Sequence, residues 1–391
     1  MTLPFVEATL QMLQEVGLYR TLRLLESSPS PHAVIDGKNV LLFSSNNYLG
    51  LSNHPKVTEA ALQATREFGT GGTASRLISG NLKLYTLLEE KIARFKKTEA
   101  AVVFSTGYAA NLGTIQALVG PADLVLIDKL NHASIIDGCR LSGAKMRTYH
   151  HKNMALLKTH LEKMDPNRRT LIITDGIFSM DGDLAPLPEI VNLATSFKAM
   201  VMVDDAHATG VWGEKGAGTV HAAQLDGREI IQMGTLSKTL GSLGGFVAGT
   251  RTLIHFLVNE ARSLIYSTAL PPSVLASGIS AITLLEEEPE ILRNFWEKID
   301  FFKAGLKTLG YDLMGSETHI LPIRIGENQE TVGIAKALYE EGLFAPAIRP
   351  PTVPKGTSRI RLTPMATHTQ EDLEQALDIL KRVGRKFGII H

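Results

Sequence analysis

A single lysine lies in a segment of small and hydroxylated residues past the middle of the chain. Lys238 belongs to residues 235–245, TLSKTLGSLGG, which follow the apolar run at 230–233. A lysine placed where a buried strand gives way to a loop can be held beside an aldehyde and form a Schiff base with it. The hydroxyls of Thr235 and Ser237 and the backbone amides of Gly241, Gly244 and Gly245 are groups that bind phosphate. The segment predicts a site for an aldehyde that carries a phosphate.

An acid and a histidine close another apolar run earlier in the chain. Asp204 ends the run at 200–203, and His207 follows it by three residues. An acid against a pyridine nitrogen keeps that ring protonated, so that the ring can accept the electrons of a substrate carbanion. His207 could donate a hydrogen bond to the phenolate oxygen of such a ring or orient the substrate. Each residue alone fits an ordinary cap or polar loop, whereas Asp204, His207 and Lys238 in this order favour pyridoxal phosphate.

The elements that must position these residues alternate between strand and helix. Short apolar runs predict strands at 100–104, 124–128, 145–149, 171–174, 200–204, 230–233 and 246–248. Helical periodicity predicts helices at 82–95, 111–118, 134–142, 155–164 and 187–196. This alternation is typical of an α/β fold with a mainly parallel sheet covered on both faces. Ligands of such sheets gather beyond the carboxyl ends of the strands.

Other polar candidates fall at those strand ends. Gly107 and Tyr108 open a helix after the first strand, where backbone amides can bind phosphate. His132 follows the second strand and could stack on the cofactor ring, although an ordinary loop histidine is equally consistent with the pattern. Ser179 follows the fourth strand and could bind the cofactor, or could be a turn hydroxyl.

The sequence changes character after residue 272. Helical periodicity at 273–309, an apolar run at 319–325, and helices at 331–341 and 370–387 predict a smaller α/β domain. We therefore expect an N-terminal segment at 1–50, a cofactor-binding domain at 51–272 and a C-terminal domain at 273–391. Within the last, Arg361 suits the bidentate binding of an amino-acid carboxylate. Arg359 fits better as an arginine on a surface strand.

Composition excludes several classes of function. The chain has 391 residues, 44% of them hydrophobic, and its 40 basic residues balance its 40 acidic ones. With this balance the chain has no net positive charge that would attract nucleic acid or an anionic membrane. The single cysteine, Cys139, fits a reducing compartment. The first segment differs from a signal peptide and no apolar run is long enough to span a bilayer, so we expect a cytoplasmic enzyme. His150 and His151 have no further ligands at metal spacing, so we expect no metal site.

Motifs along most of the chain carry a resemblance to a known family. They are SNNYLGL at 45–51, NHAS at 131–134, IFSMDG at 177–182, DDAH at 204–207 and RPPTVP at 349–354. With these motifs the chain resembles the α-oxoamine synthases, a family of fold-type I pyridoxal phosphate enzymes. One departure is Ser237, where relatives often have glycine.

The resemblance implies roles for residues at the matching positions. Lys238 and His132 would be catalytic: Lys238 would bind the cofactor covalently and then act as general base. The implied cofactor-binding residues are Gly107, Tyr108, His132, Ser179, Asp204, His207, Thr235 and Lys238. The family is homodimeric, so Ser267 and Thr268 would reach the cofactor of the partner subunit. The implied substrate-binding residues are Arg20, Asn47, Thr352 and Arg361.

The resemblance also implies a substrate pair. The loop at 347–354 is similar to that of the biotin-pathway member of the family, which favours L-alanine and a pimeloyl thioester on coenzyme A or acyl carrier protein. A member that joins glycine to an acetyl thioester is the main alternative. A non-catalytic subunit of the same fold and an ordinary aminotransferase are the others; the retained lysine, Lys238, disfavours the first of these.

Overall fold

The computed structural model describes residues 3–391, which divide into two compact units. The larger unit comprises Leu51–Phe178 and Leu184–Leu292. The smaller unit comprises the described residues up to Gly50 together with Ser179–Asp183 and Arg293–His391. No helix within residues 3–391 is both long enough and apolar enough to cross a membrane.

The N-terminal part of the smaller unit contains one helix and a hairpin. Its elements are α1 (Pro4–Glu15), β1 (His32–Ile35) and β2 (Lys38–Leu42). Strands β1 and β2 are antiparallel, with His32 opposite Leu41. Asp36 and Gly37 connect them with φ values of 46° and 76°. An Asp-Gly pair tolerates these positive angles, which is why it forms a tight two-residue hairpin turn.

The larger unit is built around one sheet with the strand order β3-β9-β8-β7-β6-β4-β5. The strands are β3 (Ala100–Phe104), β4 (Leu124–Asp128), β5 (Lys145–Tyr149), β6 (Thr170–Asp175), β7 (Met200–Asp204), β8 (Ile230–Thr235) and β9 (Gly245–Gly249). The pairs among β4, β5, β6, β7 and β8 are parallel, and β9 is antiparallel to both of its neighbours. The predicted mainly parallel sheet is confirmed.

Helices cover both faces of this sheet. They are α2 (Pro55–Phe68), α3 (Lys83–Phe95), α4 (Gly107–Leu118), α5 (Ala133–Ser142), α6 (Met154–Glu162), α7 (Leu187–Phe197), α8 (Thr219–Ala222), α9 (Arg251–Glu260), α10 (Arg262–Ile265) and α11 (Pro272–Glu287). Neighbouring strand residues belong to different cores: Leu171 and Ile173 lie in one apolar cluster and Ile172 in another. Alternate side chains of a strand point to opposite faces, so the sheet is buried on both.

The C-terminal part of the smaller unit adds a second small sheet and three helices. Its elements are α12 (Glu290–Thr308), β10 (Leu321–Gly326), α13 (Asn328–Glu340), β11 (Leu343–Phe344), β12 (Ala347–Ile348), β13 (Ser358–Leu362) and α14 (Gln370–Lys386). Strand β11 pairs with β2 in parallel, and the order β10-β13-β12 forms an antiparallel sheet. Phe302, Ile360 and Leu380 belong to one apolar core of this unit.

The C-terminal domain was predicted to start at residue 273, whereas the last part of the smaller unit starts at Arg293. Helix α11 packs against α2 and α3 and belongs to the larger unit. The single helical stretch predicted at 273–309 is two helices, α11 and α12, separated at Glu288 and Pro289. A proline disfavours the helical conformation of the residue before it and cannot continue a helix from that residue.

The prediction that Arg359 is a surface arginine on a strand is wrong. It lies on β13 of the smaller unit with only 1% of its surface exposed. Its Nη1 donates to the carboxylate of Asp181 at 2.7 Å and to the carbonyl of Met180 at 3.0 Å, and its Nε donates to the carbonyl of Thr357. Because these acceptors surround the guanidinium, the charge is compensated despite its burial.

Arg359→Leu should lower the free energy of unfolding by about 3 kcal/mol, because it leaves Asp181 and two carbonyl oxygens without their donor. Urea denaturation of the full chain measures this loss. Arg324→Leu is the matched control, since Arg324 is an exposed arginine on β10 of the same sheet. Equal losses in the two variants would contradict the role of Arg359.

Candidate active site

A cavity of about 160 Å³ lies at the carboxyl ends of the central strands of the larger unit. A cavity of roughly 150 Å³ is large enough to take a benzene molecule, so an aromatic ring fits. It is lined by Gly107, Tyr108, Asn111, His132, Ser134, Asp175, Asp204, Ala206, His207, Met233, Thr235 and Lys238. Seven of the predicted cofactor residues are therefore brought together: Gly107, Tyr108, His132, Asp204, His207, Thr235 and Lys238.

Asp204 is the last residue of β7 and is buried. Its Oδ2 accepts a hydrogen bond from Asn111 Nδ2 at 2.8 Å, and its Oδ1 accepts one from the backbone N–H of Ala206 at 2.9 Å. Hydrogen bonds from two directions stabilise a carboxylate that burial would otherwise penalise. The same contacts fix the direction in which Asp204 faces the cavity.

His132 is held to the end of β6 by its backbone. Its N–H donates to Asp175 Oδ2 at 3.0 Å, while Asn131 Nδ2 donates to the carbonyl of Ile173 at 2.8 Å. Desolvation lowers the pKa of His132, and the Lys238 cation adds to that effect, while the Asp204 carboxylate acts in the opposite sense. His132 therefore favours its neutral form.

Asp175 is a cavity residue that the sequence analysis missed. It ends β6 directly beside Asp204 in the register of the sheet. Burial raises the pKa of Asp175 well above its usual range, and the Asp204 charge raises it further. Two neighbouring buried carboxyls cannot both ionise cheaply, so one negative charge resides at this edge. The sequence contained a signal that could have identified Asp175. It follows the predicted strand at 171–174 directly, as Asp204 follows the apolar run at 200–203.

Lys238 lies in the loop that joins β8 to β9, as the sequence predicts. Thr235 Oγ1 donates to the carbonyl of Gly244 at 2.7 Å and accepts from the backbone N–H of Ser237. The expectation that the amides of Gly241 and Gly244 are available to a phosphate is wrong. They donate within the loop, to the carbonyl of Lys238 and to Ser237 Oγ, because the loop closes tightly on itself.

The N-terminus of α4 forms the side of the cavity that contains Gly107 and Tyr108. Thr106 caps this helix through a hydrogen bond from the N–H of Ala109. A side chain at Gly245 would approach the carbonyl of Thr106 to 2.5 Å, so glycine is needed for the contact between β9 and this turn. Tyr108 donates to Asp137, and this hydrogen bond raises the pKa of its phenol. Because the first N–H groups of a helix have no partner within it, the amides of Gly107 and Tyr108 can bind an anion.

Two predicted residues, Ser179 and Arg361, meet each other in the smaller unit. Arg361 Nε donates to the carbonyl of Ser179 at 2.6 Å. Its Nη1 donates to Asn46 Oδ1 and its Nη2 to the hydroxyl of Tyr48, each at 3.2 Å. Asn46, not the predicted Asn47, is the asparagine beside this arginine. Asn47 is buried, with its amide directed to the carbonyl of Pro29 at 3.4 Å.

Arg20 and Thr352 belong to another part of the smaller unit. Arg20 Nη2 donates to the carbonyl of Pro350 at 3.0 Å, and Thr352 N donates to that of Arg349 at 3.1 Å. Arg349 itself donates to the carbonyls of Gly17 and Tyr19. Burial lowers the pKa of Arg349, and the neighbouring Arg20 cation lowers it further. Two arginines therefore lie close together here.

Ser267 and Thr268 do not line the cavity of the larger unit. Thr268 forms an antiparallel bridge with Ser75, next to a π-helical turn at Arg76–Gly80. Their predicted approach to the cofactor of a partner subunit stays a prediction.

The cavity fits pyridoxal phosphate by its donor set. It has room for a ring, a buried carboxylate for the ring nitrogen, a lysine for the aldehyde and a helix N-terminus for the phosphate. One further observation agrees. Among the described residues, the buried Oδ1 atom of the cavity residue Asn111 has no hydrogen-bond partner, so this acceptor is available to a donor of a bound ligand.

Residues 38–380 match the family described as aminotransferase class I and II, and the chain belongs to this family. It is 48% identical over 389 residues to an 8-amino-7-oxononanoate synthase of Thermoanaerobacter pseudethanolicus, covering 99% of this chain and 98% of that relative.

Two solved structures are similar to the whole chain or most of it. A serine palmitoyltransferase from S. paucimobilis with bound PLP-myriocin aldimine has a TM-score of 0.94 and 33% identity, over 99% of this chain and 98% of the other. An 8-amino-7-oxononanoate synthase from Francisella tularensis has a TM-score of 0.76 and 26% identity, over 90% and 99%. The predicted resemblance to the α-oxoamine synthases and the fold-type I architecture are confirmed.

Proposed function

We propose that this chain is a pyridoxal phosphate-dependent acyltransferase of biotin biosynthesis. It condenses L-alanine with a pimeloyl thioester, on coenzyme A or acyl carrier protein, to 8-amino-7-oxononanoate, the free carrier thiol and carbon dioxide. The observation that carries this proposal is the cavity that unites Lys238, Asp204 and His132 in a chain 48% identical to full-length relatives of that name. A cytoplasmic location is part of the proposal and agrees with the buried free cysteine, Cys139.

The residues of the cavity divide the chemistry among them. When bound, pyridoxal phosphate supplies a ring that withdraws the electron pair left on Cα after proton removal. Asp204 would hold a proton at the ring nitrogen. Lys238 would hold the aldehyde carbon through its Nζ and would serve as the base that takes the Cα proton of the amino acid. Gly107 and Tyr108 would hold the phosphate through the backbone amides at the start of α4, and Thr235 lines the cavity beside them.

Arg361 is the proposed carboxylate ligand for alanine. A guanidinium has five N–H groups. Three of them are used by the carbonyl of Ser179, the amide oxygen of Asn46 and the hydroxyl of Tyr48, leaving one on each Nη. Two N–H groups at the ends of a rigid fork can bind one carboxylate bidentately. A carboxylate bound by both N–H groups is held in one orientation.

Lys238→Ala should lose covalently bound pyridoxal phosphate and lower turnover about 100-fold or more, because it removes both the attachment point and the general base. Borohydride reduction with mass spectrometry detects the attachment, and release of carbon dioxide measures turnover with alanine and pimeloyl thioester. Lys129→Ala, at an exposed lysine after β4, is the matched control. Turnover confined to glycine and acetyl thioester in the parent protein would refute the proposed substrates.

Arg20 and Arg349 are the proposed site for the distal carboxylate of the acyl chain. The contacts of both within the described residues are to carbonyl oxygens and not to carboxylates. Two adjacent cations without an acidic partner favour the binding of an anion. Pimeloyl thioesters end in a carboxylate, which matches this charge.

Arg349→Met should raise the KM for pimeloyl thioester about tenfold, since a hydrogen bond to a charged group contributes about 1.5–3 kcal/mol. The KM for heptanoyl thioester, which lacks the distal carboxylate, should not change. Arg385→Met, at an exposed arginine of α14, serves as control. If Arg349→Met raised both KM values equally, the arginine would have no part in recognising the carboxylate.

A homodimer is also part of the proposal, supported by an apolar surface on the larger unit. Leu77, Ile78 and Tyr266 are 56%, 80% and 72% exposed. The turn that carries Leu77 and Ile78 is anchored by Arg76, whose guanidinium binds Glu89 at 2.6 Å. An anchored apolar surface suits association with a second subunit better than exposure to solvent.

Ile78→Asp should therefore convert the dimer to a monomer, because it places an unpaired charge in the interface. Light scattering coupled to gel filtration measures the mass. Leu141→Asp changes a residue on α5 that is 61% exposed and tests whether any new surface charge has this effect. A parent protein of monomeric mass would overturn the proposed dimer.

A further inference from the structure

Two buried polar side chains connect Asp204 to His132 across the floor of the cavity. Asn111 lies on α4 and Ser134 on α5, and each is only 1% exposed. Asn111 Nδ2 lies 2.8 Å from Asp204 Oδ2 and 2.8 Å from Ser134 Oγ. Ser134 Oγ in turn lies 2.8 Å from His132 Nδ1. The order of contacts is Asp204, Asn111, Ser134, His132.

The direction of each hydrogen bond follows from the acid at one end. An ionised carboxylate can only accept, so the amide of Asn111 must present its NH₂ group to Asp204. The same NH₂ group then donates its second hydrogen to Ser134 Oγ. Because Ser134 accepts from Asn111, its own hydroxyl hydrogen is left to donate to His132 Nδ1.

A second donor reaches the same ring nitrogen. His132 is the N-cap residue of α5, and the backbone N–H of Ser134 donates to Nδ1 at 3.2 Å. A backbone amide has no lone pair to offer and can only donate. Nδ1 therefore has to carry a lone pair, whichever way the hydroxyl is turned, and the single proton of a neutral imidazole resides on Nε2.

We propose that Asn111 and Ser134 are positioning residues that hold His132 as the neutral tautomer with its proton on Nε2, so that His132 acts as a hydrogen-bond donor and not as a base. The free lone pair that a base needs is occupied by two donors at Nδ1. This proposal rests on the proposed function only for its consequence: the Nε2–H can polarise the thioester carbonyl, and removal of the Cα proton falls to Lys238.

The charged groups around His132 are compatible with this state. Asp204 and Asp137 favour the cationic ring, while Lys238 and desolvation disfavour it, and the net direction lowers the pKa. Asp175 accepts a hydrogen bond from the backbone N–H of His132, at 3.0 Å. If Nδ1 were protonated, its N–H would face the backbone N–H of Ser134, and two hydrogen-bond donors would point at each other.

Neutron diffraction from deuterated crystals of the full chain tests the proposal directly. At neutral pH we expect a deuteron on Nε2 of His132 and none on Nδ1, with the Ser134 hydroxyl deuteron directed at Nδ1 and both Asn111 deuterons directed at Ser134 and Asp204. A deuteron on Nδ1 would overturn the proposal. This readout needs no turnover, so it stands even if the condensation of alanine with pimeloyl thioester fails.

A substitution series tests the part played by the hydroxyl. Ser134→Ala should shift the titration of His132, followed by NMR on isotope-labelled histidine, to higher pH, because the neutral ring loses a donor. Ser134→Thr keeps a hydroxyl and should restore the parent titration. Ser142→Ala removes a hydroxyl from the same helix that bonds the carbonyl of Cys139, and should cause no shift. An unshifted titration in Ser134→Ala would exclude Ser134 as a positioning residue.

Discussion

One buried negative charge, the carboxylate of Asp204, is the constraint on which the cavity depends. A charge at the end of a covered strand is costly unless hydrogen-bond donors surround it. Asn111 from α4 and the backbone of Ala206 supply those donors, so the position of α4 is tied to the end of β7. The raised pKa of neighbouring Asp175 leaves Asp204 as the seat of the charge. Through Asn111 and Ser134, the same carboxylate is connected to the ring of His132.

The elements of the large sheet were predictable because their burial leaves a direct mark on the sequence. Strands covered on both faces appear as short apolar runs, and the predicted bounds of β3 and β7 are those observed. Polar residues that close such runs could be assigned to the site for the same reason. Asn111 and Ser134 could not, because a polar residue inside a helix has no pattern that reveals what it faces. Only the folded positions of α4 and α5 bring these two together.

Other differences between prediction and structure arise where the residue type alone does not determine what a side chain contacts. Asn46 and Asn47 are identical neighbours, and the backbone decides which of them meets Arg361. Arg359 and Arg361 share one face of β13, so a sequence cannot tell whether either is exposed or lies against acceptors. The segment Ser179–Asp183, which contacts both arginines, supplies those acceptors from a distant part of the chain.

The discontinuity of the smaller unit has a consequence for how the protein is made. Strand β2 obtains its parallel partner from β11, with Leu41 opposite Leu343, so the pairing joins the beginning of the chain to its last part. Contacts between such distant residues form late and slowly. During synthesis on a ribosome the N-terminal hairpin has to wait, with one edge uncovered, until nearly the whole chain has emerged. A translation product cut short before β11 would keep that edge open to pairing with other chains.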